Sequence, residues 1–377
     1  MRGRTVFHSR SRRRQRGQVI PITALAMIAL IGGVALILEG GNAYAHQRET
    51  QNGADAAANA GATVLAQYIG GTTKTDADVV ASMNTVSNAN ALNDYDGYYT
   101  DVTGTWLTNG GATTTSQGAA ARVGDGLIPP GAQGVQAVGT QTFGTTFGRV
   151  IGFPQFTSTA DAISVAGALT GGVFLPVVFP VNIVNCDVNG DLGTGEVNWQ
   201  ISNPDGIDAD TNPDGQEYIV PLCKTGGGSF MILDLDGTMN NCADEVTNPP
   251  AIQFARFPVT VQSDNGNNCA KQMVDEVNKK SGQVVLIPVC DGDCVTSGGS
   301  HATYHVIRVA AFFLDYMSDQ NGGTNPACQG NGTSLITIAG NGSSSCLVGW
   351  FVRYVTKGPV GPGPVQGAGA IGIQLVK

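Results

Sequence analysis

The sequence predicts an α+β protein: a long N-terminal transmembrane helix, a small α+β domain, and then a disulfide-stapled β-rich domain. Three observations lead to this fold class. An uncharged apolar run of 20 residues follows an arginine cluster, helical spacing then gives way to short alternating segments, and all eight cysteines lie in the second half. The predicted regions are a basic cytoplasmic tail at 1–18, the transmembrane helix at 19–38, the α+β domain at 39–170 and the cysteine-containing extracytoplasmic domain at 171–377.

The first helix is predicted to run from Val19 to about Gln67. Its apolar part, Val19–Leu38, would be about 30 Å long, which matches the hydrocarbon thickness of a bilayer. Residues 1–38 contain seven arginines and no acid. The positive-inside rule therefore predicts a single-pass cell-membrane protein with a cytoplasmic N-terminus and an extracytoplasmic C-terminal bulk. A retained anchor is favoured over a signal cleaved near Ala43-Tyr44-Ala45, because the run is longer than a signal-peptide core.

Local patterns predict the remaining elements. Apolar residues at helical spacing predict a second helix over Asp76–Leu92. Alternating segments predict strands in the first domain at Asp101–Leu107, Val135–Val138 and Phe156–Val165. In the second domain the predicted strands are Phe174–Val184, Glu217–Leu222, Ser229–Leu235, Phe257–Val261, Val284–Val289, His305–Leu314, Leu335–Ile338, Leu347–Val355 and Ile371–Val376.

Composition limits the classes of function. Hydrophobic residues make up 42% of the chain, which argues for a folded exterior rather than a disordered one. Residues 39–377 contain 13 Lys and Arg against 29 Asp and Glu. An acidic exterior argues against nucleic-acid binding, which requires a basic face. No cofactor is expected, apart from the calcium considered below.

The cysteines predict an oxidising compartment, because their number is even and they are confined to the predicted exterior. Eight cysteines allow 105 pairings, so the connectivity stays open. A zinc site is disfavoured because no pair of C-x₂-C knuckles is present. The predicted disulfide residues are Cys186, Cys223, Cys242, Cys269, Cys290, Cys294, Cys328 and Cys346.

The N-terminal segment resembles that of the Tad (Flp) pilus-assembly proteins, specifically the TadG-like branch. The resemblance covers about the first 65 residues. Gly53 and Asn59 depart from the pattern, since an Ala and an apolar residue are common at these positions. The residues that carry the resemblance are Arg16-Gly17-Gln18, Pro21, Glu39, Tyr44, Arg48, Gln51, Ala54-Asp55-Ala56-Ala57-Ala58 and Ala60-Gly61-Ala62.

This resemblance implies a pilin-like helix and first domain, and a structural or accessory role in a Tad-type pilus or secretion apparatus, with adhesion as one form of it. The implied partners are the membrane and other pilus-assembly subunits, reached through the N-terminal helix. Glu39 and Asp55 are the candidate helix-contact residues. Glu39 has a simpler interpretation as an interface residue that ends the apolar run. A surface-layer or carbohydrate-binding protein is an alternative function.

A secreted or anchored hydrolase is the alternative from another class. Asp234-Leu-Asp236-Gly237-Thr238 resembles the first motif of haloacid dehalogenase-type phosphatases, in which the first Asp is the nucleophile. That chemistry also needs a downstream Lys, a Ser/Thr and an acidic magnesium pair on a doubly wound sheet, and the sequence shows no alternating β/α pattern and no convincing acidic pair. We interpret the motif as a strand that runs into an Asp/Gly turn, and the sequence predicts no enzyme.

Alternating oxygen ligands suggest calcium in one further stretch. Calcium prefers six to eight hard oxygen ligands. The candidate ligands are Asp208, Asp210, Asn212, Asp214 and Glu217. The stretch does not keep the EF-hand register, since Pro213 stands where Gly is required, and turn chemistry is the simpler interpretation.

Overall fold

The computed structural model describes residues 19–90, 92–180, 183–186, 192–197, 218–222, 231–238, 241–254, 257–264, 267–297, 302–319, 345–352, 354–361 and 370–376. The helices in these ranges are α1 (Val19–Ile69), α2 (Asp76–Ala89), α3 (Cys242–Thr247) and α4 (Asn267–Asn278). The strands are β1 (Asp94–Thr100), β2 (Trp106–Leu107), β3 (Thr113–Thr114), β4 (Gly134–Gly144), β5 (Gln155–Leu169), β6 (Gly171–Val173), β7 (Phe179–Pro180), β8 (Ile183–Cys186), β9 (Leu192–Val197), β10 (Tyr218–Pro221), β11 (Ala251–Gln253), β12 (Val259–Gln262), β13 (Gln283–Ser297), β14 (Thr303–Asp319), β15 (Ser345–Val352), β16 (Tyr354–Lys357), β17 (Val360–Gly361) and β18 (Ala370–Leu375).

Helix α1 is continuous for 51 residues. It passes through Gly40-Gly41 without a break and ends two residues beyond the predicted Gln67. The predicted second helix is also confirmed, as α2. Together with the sheets described below, these helices confirm the α+β class and the long N-terminal helix.

The first sheet has eight strands and packs against the second half of α1. Its order is β16-β18-β5-β4-β1-β2-β3, and β17 also pairs with β5. The centre is a long antiparallel hairpin in which Gly134 of β4 lies opposite Val165 and Gly144 lies opposite Gln155 of β5. Small and apolar side chains of α1 pack on this sheet together with Val79 and Met83 of α2. The predicted strands Val135–Val138 and Phe156–Val165 are therefore confirmed within β4 and β5.

The predicted strand Asp101–Leu107 is wrong in its first half. The extended segment ends at Thr100, and Asp101 starts a turn in which its Oδ1 accepts hydrogen bonds from the backbone N–H groups of Thr103 and Thr105 at 2.8 and 2.9 Å. An aspartate that bonds the backbone two residues later favours a turn over a strand. The chain then returns as the short strand β2.

The second sheet has six strands in the order β10-β15-β14-β13-β7, and β12 also pairs with β14. Phe179, Phe312 and Phe351 form an edge-to-face cluster in its core, with ring centroids 5.0 to 6.3 Å apart. The predicted strand Ser229–Leu235 is wrong over its described residues. Ile232 and Leu233 form isolated bridges only, because Met231 adopts a left-handed conformation with φ of 59°.

The C-terminal strands return to the first sheet. In β18, Ile371 lies opposite Ala168 of β5, and β16 pairs with β18 in parallel. Strands β16, β17 and β18, which the sequence places in the second domain, thus complete the sheet that lies on α1. A third apolar cluster, containing Leu169, Phe254 and Val352, lies between the two sheets.

Three cysteines have described side chains. Cys242, Cys290 and Cys346 are fully buried, and among the described residues no cysteine is free. The other five predicted disulfide residues, Cys186, Cys223, Cys269, Cys294 and Cys328, have side chains outside the described part of the chain. The predicted pairing remains a prediction.

Candidate membrane and assembly segment

The first half of α1 exposes its apolar side chains. From Val19 to Leu38 no side chain is buried, and the most apolar window of 18 residues has no buried part. A core helix of a soluble protein would bury such a surface, because each exposed apolar side chain loses about 1.5–3 kcal/mol of transfer free energy. By length and composition this part of α1 could cross a membrane.

The second half of α1 is bound to the first sheet through small residues. Its buried side is formed by Thr50, Gly53, Ala54, Ala57, Ala58, Gly61, Ala62, Val64, Leu65 and Ala66. A Cβ atom added to Gly61 would lie 3.1 Å from Val135 and 3.2 Å from the sulfur of Met83. The small side chains therefore let the helix approach the sheet and α2 closely.

The two positions that depart from the family pattern have specific partners. A Cβ atom on Gly53 would lie 2.7 Å from Cγ of Leu92, so the glycine makes room for that leucine. Asn59 accepts a hydrogen bond from the hydroxyl of Ser164 in β5 at 2.7 Å. An apolar residue at position 59 would leave this hydroxyl without that acceptor. Both departures fit the packing of α1 on its own sheet.

Glu39, a predicted helix-contact residue, lies at the end of the apolar run and binds the turn between β4 and β5. Its Oε2 accepts hydrogen bonds from the backbone N–H groups of Thr146 and Phe147 at 3.1 and 3.0 Å. Its other oxygen, Oε1, is buried and has no hydrogen-bond partner among the residues that the structure describes. The contact is thus with this chain's own turn, which lies more than 100 residues away in sequence. We call this turn, residues 145–154, the hairpin tip.

Asp55, the second predicted helix-contact residue, is half-buried. Its Oδ1 accepts a hydrogen bond from Nε2 of Gln51 at 2.7 Å, and the same Nε2 lies 3.3 Å from the carbonyl oxygen of Asp161. Asp55 thus orients a glutamine that joins α1 to β5. The structure does not place Glu39 and Asp55 together, since they lie 16 residues apart on the helix.

Further contacts, a ring stack and a hydrogen bond, join α1 to the hairpin near Glu39. The ring of His46 stacks on Phe143 with centroids 4.1 Å apart. Gln47 donates to the carbonyl of Thr159 at 3.1 Å. Sequence analysis missed these contacts, because the partners are about 100 residues apart and no local pattern links them.

The Asp234 motif forms a turn. Asp234 accepts a hydrogen bond from the backbone N–H of Gly237, and Asp236 accepts one from that of Thr238, both at 2.7 Å. Glu245 of α3, which the sequence analysis missed, accepts bonds from the N–H groups of Leu235 and Asp236 at 2.6 and 3.1 Å. The predicted turn is therefore confirmed.

These three acids are close together. One carboxylate oxygen from each of Asp234, Asp236 and Glu245 lies within 4.8 Å of the others, a spacing that could hold a cation. Burial raises the pKa of Glu245 to about 7, the two backbone donors oppose the rise, and the charges of Asp236 and Asp234 add to it. The backbone bonds account for the positions of these carboxylates without an ion. The predicted calcium residues Asp208, Asp210, Asn212, Asp214 and Glu217 lie outside the described residues.

Comparison with known families supports the interpretation of α1. No curated protein and no solved structure matches the chain. The Tad family, described as Flp pilus-assembly TadE/G-like, matches residues 17–64, which include the apolar run, Glu39 and most of the small residues that contact the sheet. The predicted resemblance is thus confirmed over residues 17–64, which are similar to the TadE/G-like family of Flp pilus assembly.

Proposed function

We propose that this chain is a single-pass membrane-anchored structural or accessory component of a Tad/Flp-type pilus or secretion apparatus. The observation that carries the proposal is the division of α1 into two halves. An exposed apolar half could lie in a membrane, and a small-residue half is bound to the first sheet, within a segment that matches the Tad family. Residues 39–377, which we call the head, are acidic in composition and would lie outside the membrane, where adhesion is one role open to them.

The proposed organisation keeps the predicted tail and span, and it moves strands β16 to β18 from the second predicted domain to the first. Residues 1–18 form the cytoplasmic tail and 19–38 the span. The pilin-like unit comprises 39–170 with the returning strands β16 to β18, and the rest of 171–377 forms the β-rich module.

The family match supports a structural role rather than an enzymatic one. Oδ1 of Asp234 and Oδ1 of Asp236 each accept a hydrogen bond from the backbone of their own turn, and the strands around them are mainly antiparallel. A phosphatase would need a doubly wound parallel sheet at this place.

Protease accessibility tests the topology. We expect protease added to intact spheroplasts to digest residues 40–377, because the arginine-rich tail should stay in the cytoplasm. An epitope placed at the N-terminus should survive in a short membrane-protected fragment. Full protection of the cysteine-containing half would contradict the proposed orientation.

Photo-crosslinking tests the assembly role. A photoreactive amino acid in place of Val34, on the exposed apolar half of α1, should form adducts with other subunits of the apparatus in cells. Small residues nearby, such as Gly32 and Gly33, allow helices to approach closely. The same amino acid at Leu127, an exposed position on the head, is the matched control. Adducts with lipid alone at Val34 would contradict a helix-mediated assembly role.

We also propose that the eight cysteines form disulfides that stabilise the β-rich module, each by about 2–4 kcal/mol. The burial of Cys242, Cys290 and Cys346 and the absence of a free cysteine among the described residues support this proposal. Alkylation of the denatured native protein without reductant should label no cysteine, and alkylation after reduction should label eight. Four or more thiols labelled without reductant would contradict the proposal.

A further inference from the structure

The hairpin tip lies at the membrane end of α1. Contacts between α1 and the β4–β5 hairpin descend in order along the helix: Asn59 bonds Ser164, Gln47 bonds Thr159 and Glu39 bonds the tip. From Asn59 to Glu39 the helix descends about 30 Å at its rise per residue. Because Glu39 directly follows the apolar run, the tip lies level with the outer end of that run.

The hairpin tip carries three apolar side chains that are exposed instead of being buried in a hydrophobic core. Val150 is 84% exposed, Ile151 75% and Phe153 58%. Val150 and Ile151 lie in the 3₁₀ turn Gly148–Ile151, between the end of β4 and the start of β5. Exposed apolar residues scattered singly need no explanation, but these three lie within four consecutive positions of a turn that Glu39 holds at the outer end of the apolar run.

The backbone of the tip is hydrogen-bonded internally. Thr145 donates its N–H to the carbonyl of Pro154 at 3.0 Å, and Phe153 donates to Gly148 at 2.8 Å. The hydroxyl of Thr145 also bonds the carbonyl of Phe153, and Glu39 accepts the N–H groups of Thr146 and Phe147. Polar backbone groups are costly to bring near hydrocarbon unless they are bonded, so these contacts prepare the tip for an apolar environment.

The charge of the tip also suits a lipid surface. Arg149 is its one charged residue, and it is exposed, whereas residues 39–377 as a whole are acidic. An arginine next to apolar side chains can keep its guanidinium at the level of the phosphates while its neighbours enter the apolar layer.

We propose that the hairpin tip is a second membrane-binding element, which inserts Val150, Ile151 and Phe153 into the outer face of the bilayer around α1. The level of the tip at the outer end of the apolar run, and the exposed Arg149 beside three exposed apolar side chains, favour lipid over another protein as the occupant. The inference rests on the proposed function, because it requires α1 to span the membrane. Two points of attachment, the helix and the tip, would fix the tilt of the head on the membrane.

Lipid-borne quenching tests the inference on the full chain. Ile151→Trp is placed in liposomes with and without lipids brominated near the headgroup end of the acyl chains, and the emission of the parent chain with its three tryptophans is subtracted. Leu127→Trp is the matched control, because Leu127 is similarly exposed, at 52%, and lies on the head loop that leads into the buried Ile128. We expect Trp at 151 to lose about half its emission, since interfacial elements enter about 5–10 Å into this region. Trp at 127 should lose none.

Alkaline carbonate extraction of the same liposomes separates the inference from the proposed function. If the chain stays in the membrane but brominated lipids leave Trp at 151 unquenched, the inference is wrong and the anchor stands. Protection of Trp at 151 from both brominated lipid and aqueous acrylamide would mean that protein covers the tip, which also overturns the inference. Release of the chain by carbonate would overturn the anchor itself. If Ile151→Trp unfolds at a lower temperature than the parent chain, Phe153→Trp is used in its place.

Discussion

We expect Gly134→Ala to destabilise the first sheet by about 2–3 kcal/mol, because the new methyl group would overpack a closed space. A Cβ atom at this position would lie 2.4 Å from Oγ1 of Thr100, 2.7 Å from Val165 and 2.9 Å from the carbonyl oxygen of Ser164. Gly134 lies opposite Thr100 on one side and Val165 on the other. Strands β1 and β5 would have to move away from β4, next to Val135 and Ala137, which pack against α1.

Gly144→Ala is the matched control for this substitution. Gly144 lies at the other end of the same strand, and a Cβ atom there would meet nothing within 4 Å. Hydrogen exchange of peptides from β4 reports the local effect, because the chain has more than one core and the first sheet need not unfold together with the core that lies next to Glu245. We expect faster exchange in Gly134→Ala and parent-like exchange in Gly144→Ala. Equal protection in both variants would contradict the close packing of β1, β4 and β5.

The elements that the sequence predicts well are those whose cause is local. The apolar run and the alanine-rich stretch after it specify α1, and the alternating segments specify the strands of the central hairpin. The errors also have local causes that pattern reading missed. Asp101 bonds the backbone ahead of it and turns the chain, and Met231 takes a left-handed conformation next to Ile232 and Leu233, which form isolated bridges only.

Contacts between distant parts of the chain could not be predicted in this way. The return of β18 to β5 and the bond from Glu39 to the hairpin tip join residues about 200 and 100 positions apart. A β-strand pattern does not state its partner, because any strand with a suitable face could fill that edge. The sequence also gives no sign of the role of Glu245. Its position on a short helix does not show that its carboxylate accepts the backbone N–H groups of Leu235 and Asp236.

The pH dependence of stability should reveal the buried acid Glu245. Burial raises its pKa from an ordinary value of 4.5 to about 7 in the folded protein. Between these values the folded state holds a proton that the unfolded state has lost. The protonation of Glu245 therefore adds about 3 kcal/mol to the free energy of unfolding. This stabilisation is fully present below pH 4.5 and is lost as the pH rises to about 7.

Glu245→Gln isolates this contribution. The Gln carbonyl can still accept the N–H groups of Leu235 and Asp236, but it does not titrate. We expect the variant to gain stability relative to the parent chain by about 3 kcal/mol as the pH rises from 4.5 to 7.5, measured by urea unfolding in chelator. Glu276→Gln is the control of opposite sign, because the hydrogen bond from Lys279 at 2.5 Å lowers the pKa of Glu276.

The same series distinguishes a buried neutral acid from a cation ligand. If Asp234, Asp236 and Glu245 form only a turn and its support, magnesium or calcium should leave the unfolding midpoint of the parent chain unchanged. A cation bound to all three carboxylates would instead raise that midpoint, and Glu245→Gln would abolish the increase, since binding to the folded state alone shifts its stability by mass action. We expect no such increase, because each carboxylate already accepts backbone N–H groups in the folded chain. In the pH series itself, the free energies of unfolding of the parent chain and of Glu245→Gln should diverge as the pH rises. A constant difference between them would contradict the raised pKa of Glu245.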